Sequence, residues 1–202
     1  MTAALTTIEE LGQLPPAPPS RPRVLLVGTV LALAASCMVF AGLLGLYLHQ
    51  RAEAIAANGV WFPEGTTVAL TPANMALITL TMSCVTMHWA LYAIANDDRR
   101  STWLAMGLTM FLGAAYLNLM AFYYTQIGLP VASPHGVLIY AITGAHLVMV
   151  GGAMLFIGLM AFRTLGGQYS AKDREGVVAA SLYWYGTVAI YAVLWYAIFV
   201  TK

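Results

Sequence analysis

Five runs of this chain, at about residues 24–48, 73–95, 103–124, 137–162 and 177–200, are apolar and contain no Lys, Arg, Asp or Glu. That feature restricts the fold more than any other. The hydrocarbon core of a bilayer takes roughly 20 apolar residues of α-helix, and each run is long enough. The runs are continuously apolar, whereas a barrel strand would alternate lipid-facing and lumen-facing residues. The expected fold is therefore an all-α integral membrane protein, a bundle of five transmembrane helices within residues 24–202. Composition agrees: a soluble domain carries about 25% charged residues, and this chain carries 8%, with 60% hydrophobic.

Residues 1–23 do not have the order of a secretory signal, which runs from positive residues to an apolar core to a small-residue cleavage site. Glu9 and Glu10 come first, followed by "QLPPAPPSRPR". The expectation is a proline-containing, flexible cytoplasmic tail. Orientation follows from Lys and Arg near the span ends. Arg21, Arg23, Arg99, Arg100, Arg163, Lys172 and Arg174 fall on one side, and Arg51 and Lys202 on the other. Seven against two puts the N-terminus in the cytoplasm and the C-terminus outside. The turn "NDDRRS" is short, so the second and third spans should be antiparallel neighbours. Trp61, Trp103 and Trp195 lie near span ends, where indoles favour the interface. A net charge of +1 gives no basic surface for nucleic acid.

Few residues could carry chemistry. The spans hold two histidines, His88 and His146. Two histidines on different helices are what a small b-type cytochrome would need as axial haem ligands. Eleven methionines with Cys37 and Cys84 would suit a copper carrier, but the methionines do not cluster at ligand spacing, and Met commonly fills helix interfaces. No acid occurs between Arg99 and Lys172 or inside any span, so the ionisable relay of a proton pump is missing. There is no P-loop, nucleophile elbow, paired carboxylate or HExxH motif. These residues point to a membrane scaffold or accessory subunit, with no catalytic, cofactor or metal residue of its own.

The stretch "ITGAHLVMVGG" carries a packing signal. Gly144, Gly151 and Gly158 are seven residues apart, drift about 20° per step, and so form one helix-packing seam of small residues. His146 lies about 200° round the helix from Gly144, with Thr143 and Met149 beside it. His146 is expected to pack and hydrogen-bond, with Thr143 or a partner helix.

Several stretches together resemble subunit III of the haem–copper oxidases, the cytochrome c oxidase subunit 3 family, in its short five-helix form. The fourth span is similar to the family's Thr-Gly-Phe-His-Gly-Leu-His-Val at Thr143, Gly144, His146 and Val150, with Gly136 and Tyr140 before it. "CMVFAGLLGLY" resembles the family's first of these five spans at Met38, Phe40, Ala41, Gly42, Leu43 and Tyr47. "WFPEG" resembles Trp-Pro-Pro-x-Gly in the outer loop. "SCVTMHWALYAI" with "DDRR", and "LYWYGTVAIYAVLW", resemble the second and last spans. The departures are consistent: the family's ionisable positions are Ser36, Met149, Tyr185 and Val188 here, and the third-span glutamate has no counterpart. Removing a whole buried polar set can be nearly neutral where removing one partner is costly.

The resemblance implies a non-catalytic subunit III of a respiratory terminal oxidase that reduces oxygen to water. It would sit in the bacterial cytoplasmic (inner) membrane as a multi-pass protein. Its partners would be the catalytic subunit I, subunit II and phospholipid, with haems and copper held by those subunits. It would stabilise the catalytic subunit and support proton uptake and oxygen access. The candidate subunit or lipid contacts are His88, Trp89, Thr143, His146, Tyr183 and Trp184. The alternatives are an accessory subunit of a quinol oxidase or nitric oxide reductase, and the bis-histidine cytochrome.

Overall fold

The computed structural model describes residues 23–62, 66 and 69–201. The proline-containing tail, and the Pro63, Glu64 and Gly65 of "WFPEG", lie outside the described residues. Five helices carry the five apolar runs: α1 Val24–Asn58, α2 Leu70–Ala95, α3 Arg99–Gln126, α4 Pro134–Leu165 and α5 Glu175–Leu194. The last turn, Trp195–Val200, continues α5 with π-helical hydrogen bonding. All five are long and apolar enough to cross a membrane.

The helices run past the apolar runs because their ends are set by capping groups, not by hydrophobicity. Asp98 caps α3, its Oδ1 accepting from the Ser101 N–H at 3.0 Å; that bond holds the carboxyl below its usual range. Ser133 caps α4, its Oγ accepting from the Gly136 N–H at 3.0 Å, with Pro134 in the first turn. Ser133→Ala is expected to cost about 1 kcal/mol, measurable as a lower melting temperature of the detergent-solubilised protein. The largest difference from expectation is α1, which continues about ten residues beyond 48 to Asn58. The segment "QRAEAIAAN" is rich in strong helix formers, His49 and Glu53 pair one turn apart at 3.4 Å, and Gly59 ends the helix at φ 74°. The loop between α1 and α2 therefore starts at Gly59.

The short turn between α2 and α3 makes them the closest antiparallel pair, as expected. Asp97 takes a left-handed φ of 57° there, and its Oδ1 accepts the Ala171 N–H, tying this turn to the α4–α5 loop. From α3 the packing proceeds to α4 and then α5. α5 returns to touch α2, closing the ring, and α1 lies outside against α5 and less extensively against α4. Of the most apolar window in each span, 56% is buried in α5 and only 11% in α1. α5 is thus the central post and α1 the outermost helix. Several threonine hydroxyls inside the spans are satisfied by their own helices: Thr29, Thr79, Thr109 and Thr164 each donate to the carbonyl four residues earlier. That is the requirement hydrocarbon imposes on any polar group within it.

Candidate functional site

The centre of the bundle is a polar node built on His146. The side chain is fully buried. Its Nε2 lies 3.0 Å from the Thr187 carbonyl oxygen of α5, and its Nδ1 lies 2.8 Å from the Tyr116 hydroxyl of α3. A carbonyl can only accept, so Nε2 carries the proton and donates. In a neutral ring Nδ1 then accepts, and Tyr116 donates to it. Both ring nitrogens are spent, and one residue links three helices. Around the ring stand Phe40 of α1, Tyr116 and Tyr191, at centroid distances of 6.0, 5.6 and 5.3 Å.

Two further bonds extend the node. Thr143, one turn before His146, accepts from the Tyr124 hydroxyl at 2.8 Å and donates to the Ile139 carbonyl. Trp184, fully buried in α5, donates its indole N–H to Ser83 Oγ at 2.9 Å, and Ser83 donates on to the Leu80 carbonyl. Trp184 also needs room in α3: a Cβ on Gly113 would lie 2.9 Å from Trp184 Cη2. Towards the end of the bundle where α2 starts, the Tyr191 hydroxyl reaches the Ala73 carbonyl at 3.3 Å and the Trp195 indole reaches Asn74 Oδ1 at 2.8 Å.

The structure thus divides the sequence-derived candidates. Thr143, His146 and Trp184, expected as subunit or lipid contacts, are inside the bundle, where their partners are Tyr124, Tyr116, Thr187 and Ser83. A side chain enclosed by its own chain cannot touch another subunit directly. His88 and Trp89 remain outward-facing on α2, Trp89 at 44% exposure, and Tyr183 is half-buried. The glycine seam is also reassigned. Added Cβ atoms on Gly144 and Gly151 would meet nothing within 4 Å, and Gly158 meets only the Met110 side chain. The glycines that sit hard against neighbours are Gly113, Gly176 beside Tyr169, and Gly186 beside Leu33. Trp61, expected at the interface, is buried at 6% exposure between Tyr47 and His135, at 5.5 and 4.3 Å between ring centroids.

The alternative chemistries lose their geometry. His88 is on the outer surface of α2, and His146 faces inward from α4 with both nitrogens used, so the two cannot ligate one haem. Cys37 is exposed on α1 and Cys84 half-buried on α2, and among the described residues no three His, Cys, Asp or Glu come together as a metal site.

One groove is open to a ligand. A cavity of about 440 Å³ between α1 and the α4–α5 pair is lined by Val24, Gly28, Ala32, Gly152, Phe156 and Tyr183. Past Val24 and Leu25 it adjoins a polar cavity of about 540 Å³ that includes Arg163, Asp173 and Glu175. Arg23, Lys172 and Arg174 line a third beside it. Glu175 Oε1 is already used, accepting the Leu26 N–H at the start of α1.

Residues 21–201 match a family model described as "Cytochrome c oxidase subunit III". Among curated relatives, the "Probable cytochrome c oxidase subunit 3" of Mycobacterium tuberculosis is 33% identical over 89% of this chain and 87% of its own length. That of Nocardia farcinica is 28% identical, covering 90% and 88%. The "Cytochrome c oxidase subunit 3" of Thermostichus vulcanus is 27% identical, covering 86% of each.

Proposed function

The chain belongs to the cytochrome c oxidase subunit III family, and from that premise we propose that it works as a structural support docked on a haem-bearing catalytic subunit. It is a subunit III of a haem–copper oxidase and a multi-pass membrane protein. The finer assignment is our own: partners equivalent to subunits I and II hold the haems and copper, the membrane is a bacterial cytoplasmic membrane, and the Arg-rich end, with the N-terminus, faces the cytoplasm. The observation that carries the support role is the His146 node. A histidine with both nitrogens engaged by Tyr116 and Thr187 locks α3, α4 and α5 into one arrangement, and it offers no free ligand or proton-exchanging nitrogen. Oxygen reduction by the complex then depends on this chain through packing, which supports proton uptake and oxygen access in the neighbouring subunit. The relatives are named as cytochrome c oxidase subunits, which favours that assembly over a quinol oxidase or nitric oxide reductase.

The groove beside α1 suits an anionic phospholipid. An acyl chain would lie along Gly28, Ala32, Gly152 and Phe156, and the headgroup phosphate would meet Arg23, Arg163, Lys172 or Arg174 at its polar mouth. Uncovered glycines give the chain its depth, and the cations give the phosphate its charge partner.

The test is purification of the tagged chain from its native membrane in mild detergent. Co-purification with a haem-bearing subunit is expected, with bound phospholipid in the extract. A chain that purifies alone and shows a low-spin haem b spectrum would overturn the support role.

A further inference from the structure

The five spans contain two histidines and two asparagines: Asn74, His88, Asn118 and His146. His146 and Asn74 are bonded inside the bundle. His88 on α2 and Asn118 on α3 both face outward, and among the described residues neither has a hydrogen-bond partner. Both would lie in hydrocarbon if lipid covered them, and an unpaired imidazole or amide there is costly. Exposed apolar residues do not distinguish a protein contact from a lipid contact in a membrane, but unpaired polar ones do.

Their depths say what covers them. At 1.5 Å per residue, His88 is roughly 10 Å along α2 from its Ala95 end, and Asn118 is roughly 28 Å along α3 from its Arg99 start. These two ends adjoin at the tight turn, so the side chains differ in depth by roughly 18 Å. A lipid headgroup stays at the interface and reaches neither position, and a peripheral protein cannot reach both. Only a membrane-spanning segment can. The surroundings suit one: Met75, Ile78, Met82, Val85, Trp89 and Tyr92 alternate at spacings of three and four along α2, all exposed, the stripe that a packed helix meets. On α3, Ala114 and Ala121 flank Asn118 and are exposed, which lets a helix backbone approach closely.

We propose that the outer wall of the α2–α3 hairpin is the face that receives a membrane-spanning helix of the partner subunit, and that this helix presents hydrogen-bonding side chains to His88 and Asn118. The proposal rests on the docked role argued above and adds its location and chemistry. The α1 side, which holds the open groove, is left to lipid.

The experiment uses the whole complex. A photoactivatable residue is placed at His88, at Asn118, and at the controls Met38 on α1 and Val148 on α4, which are 75% and 77% exposed. Adducts to another subunit are expected from 88 and 118, with at least about tenfold lower yield from 38 and 148. Adducts to lipid alone from 88 and 118, or to a second copy of this chain, would overturn the proposal. In parallel, His88→Leu combined with Asn118→Leu should leave the chain's membrane content unchanged, because neither side chain bonds within the bundle. Its retention in the washed complex should fall about tenfold, the effect of losing two interhelical hydrogen bonds; unchanged retention counts against the face. Co-purification of the unaltered chain reads the docked role separately. Its failure would overturn both claims, whereas co-purification with adducts only from 38 and 148 overturns the face alone.

Discussion

Trp184→Ala is expected to be the most damaging single substitution in the bundle, lowering stability by about 3–5 kcal/mol. The indole is fully buried in the most enclosed helix. Removing it leaves a cavity against Gly113 and takes away the donor that Ser83 Oγ accepts. In lipid there is little hydrophobic drive to collapse the void, so lost packing contacts and the lost hydrogen bond carry the effect. Trp184→Phe keeps most of the volume and should cost about 1 kcal/mol for the lost indole N–H bond. The same contact predicts a specific coupling. Gly113→Ala alone places a Cβ 2.9 Å from Trp184 Cη2 and 3.0 Å from Met154 Sδ, so it should destabilise the native chain. In a Trp184→Phe background the phenyl ring no longer reaches that point and only the flexible Met154 side chain must give way, so the added methyl should cost less. Melting temperatures of the four proteins in detergent check this, and strict additivity would remove the contact as the cause.

His146→Leu is the second large effect, with an expected loss of about 2–3 kcal/mol. Leucine fills much of the space but leaves the Tyr116 hydroxyl buried without an acceptor, while the Thr187 carbonyl loses its side-chain donor. Removing both partners is milder than removing one. Tyr116→Phe combined with His146→Leu should therefore recover about 1 kcal/mol relative to the sum of the single changes. In the whole complex the expected order of loss is association first. Less of the His146→Leu chain is retained, while oxygen reduction per assembled complex is unchanged. Full assembly with abolished oxygen reduction would show that His146 takes part in the chemistry of its neighbour.

The two substitutions also mark what could be read from the sequence. Charge-free runs of membrane length located all five spans, because burial in lipid is a local property of composition. The tight turn "NDDRRS" likewise paired α2 with α3. What depends on a neighbour was not legible. The period of seven in Gly144, Gly151 and Gly158 places them on one face, but nothing local says that Gly144 and Gly151 meet no neighbouring helix. His146, alone in an apolar run, is marked by the cost of an unpaired imidazole there as a residue that must hydrogen-bond. Its partners, Tyr116 and the Thr187 carbonyl, are 30 and 41 residues away, and Thr143 bonds Tyr124 instead. Tyr116 sits in "LGAAYLNLM" with no motif to mark it; an inward tyrosine without an acid in its span was the available signal. The extension of α1 to Asn58 was missed for a different reason. A helix that leaves the membrane is held by Ala-rich propensity and a C-terminal glycine, and hydropathy does not register either.

The proposed role is support of an oxidase by a chain that does not hold its redox groups. The most direct measurement is haem per catalytic subunit, with the visible spectrum, in complexes purified from cells with and without this chain. The same haem content and spectrum are expected in both, with a smaller yield and a shorter working lifetime of the catalytic subunit when this chain is absent. Loss of a haem from each complex, together with a changed low-spin spectrum, would contradict it.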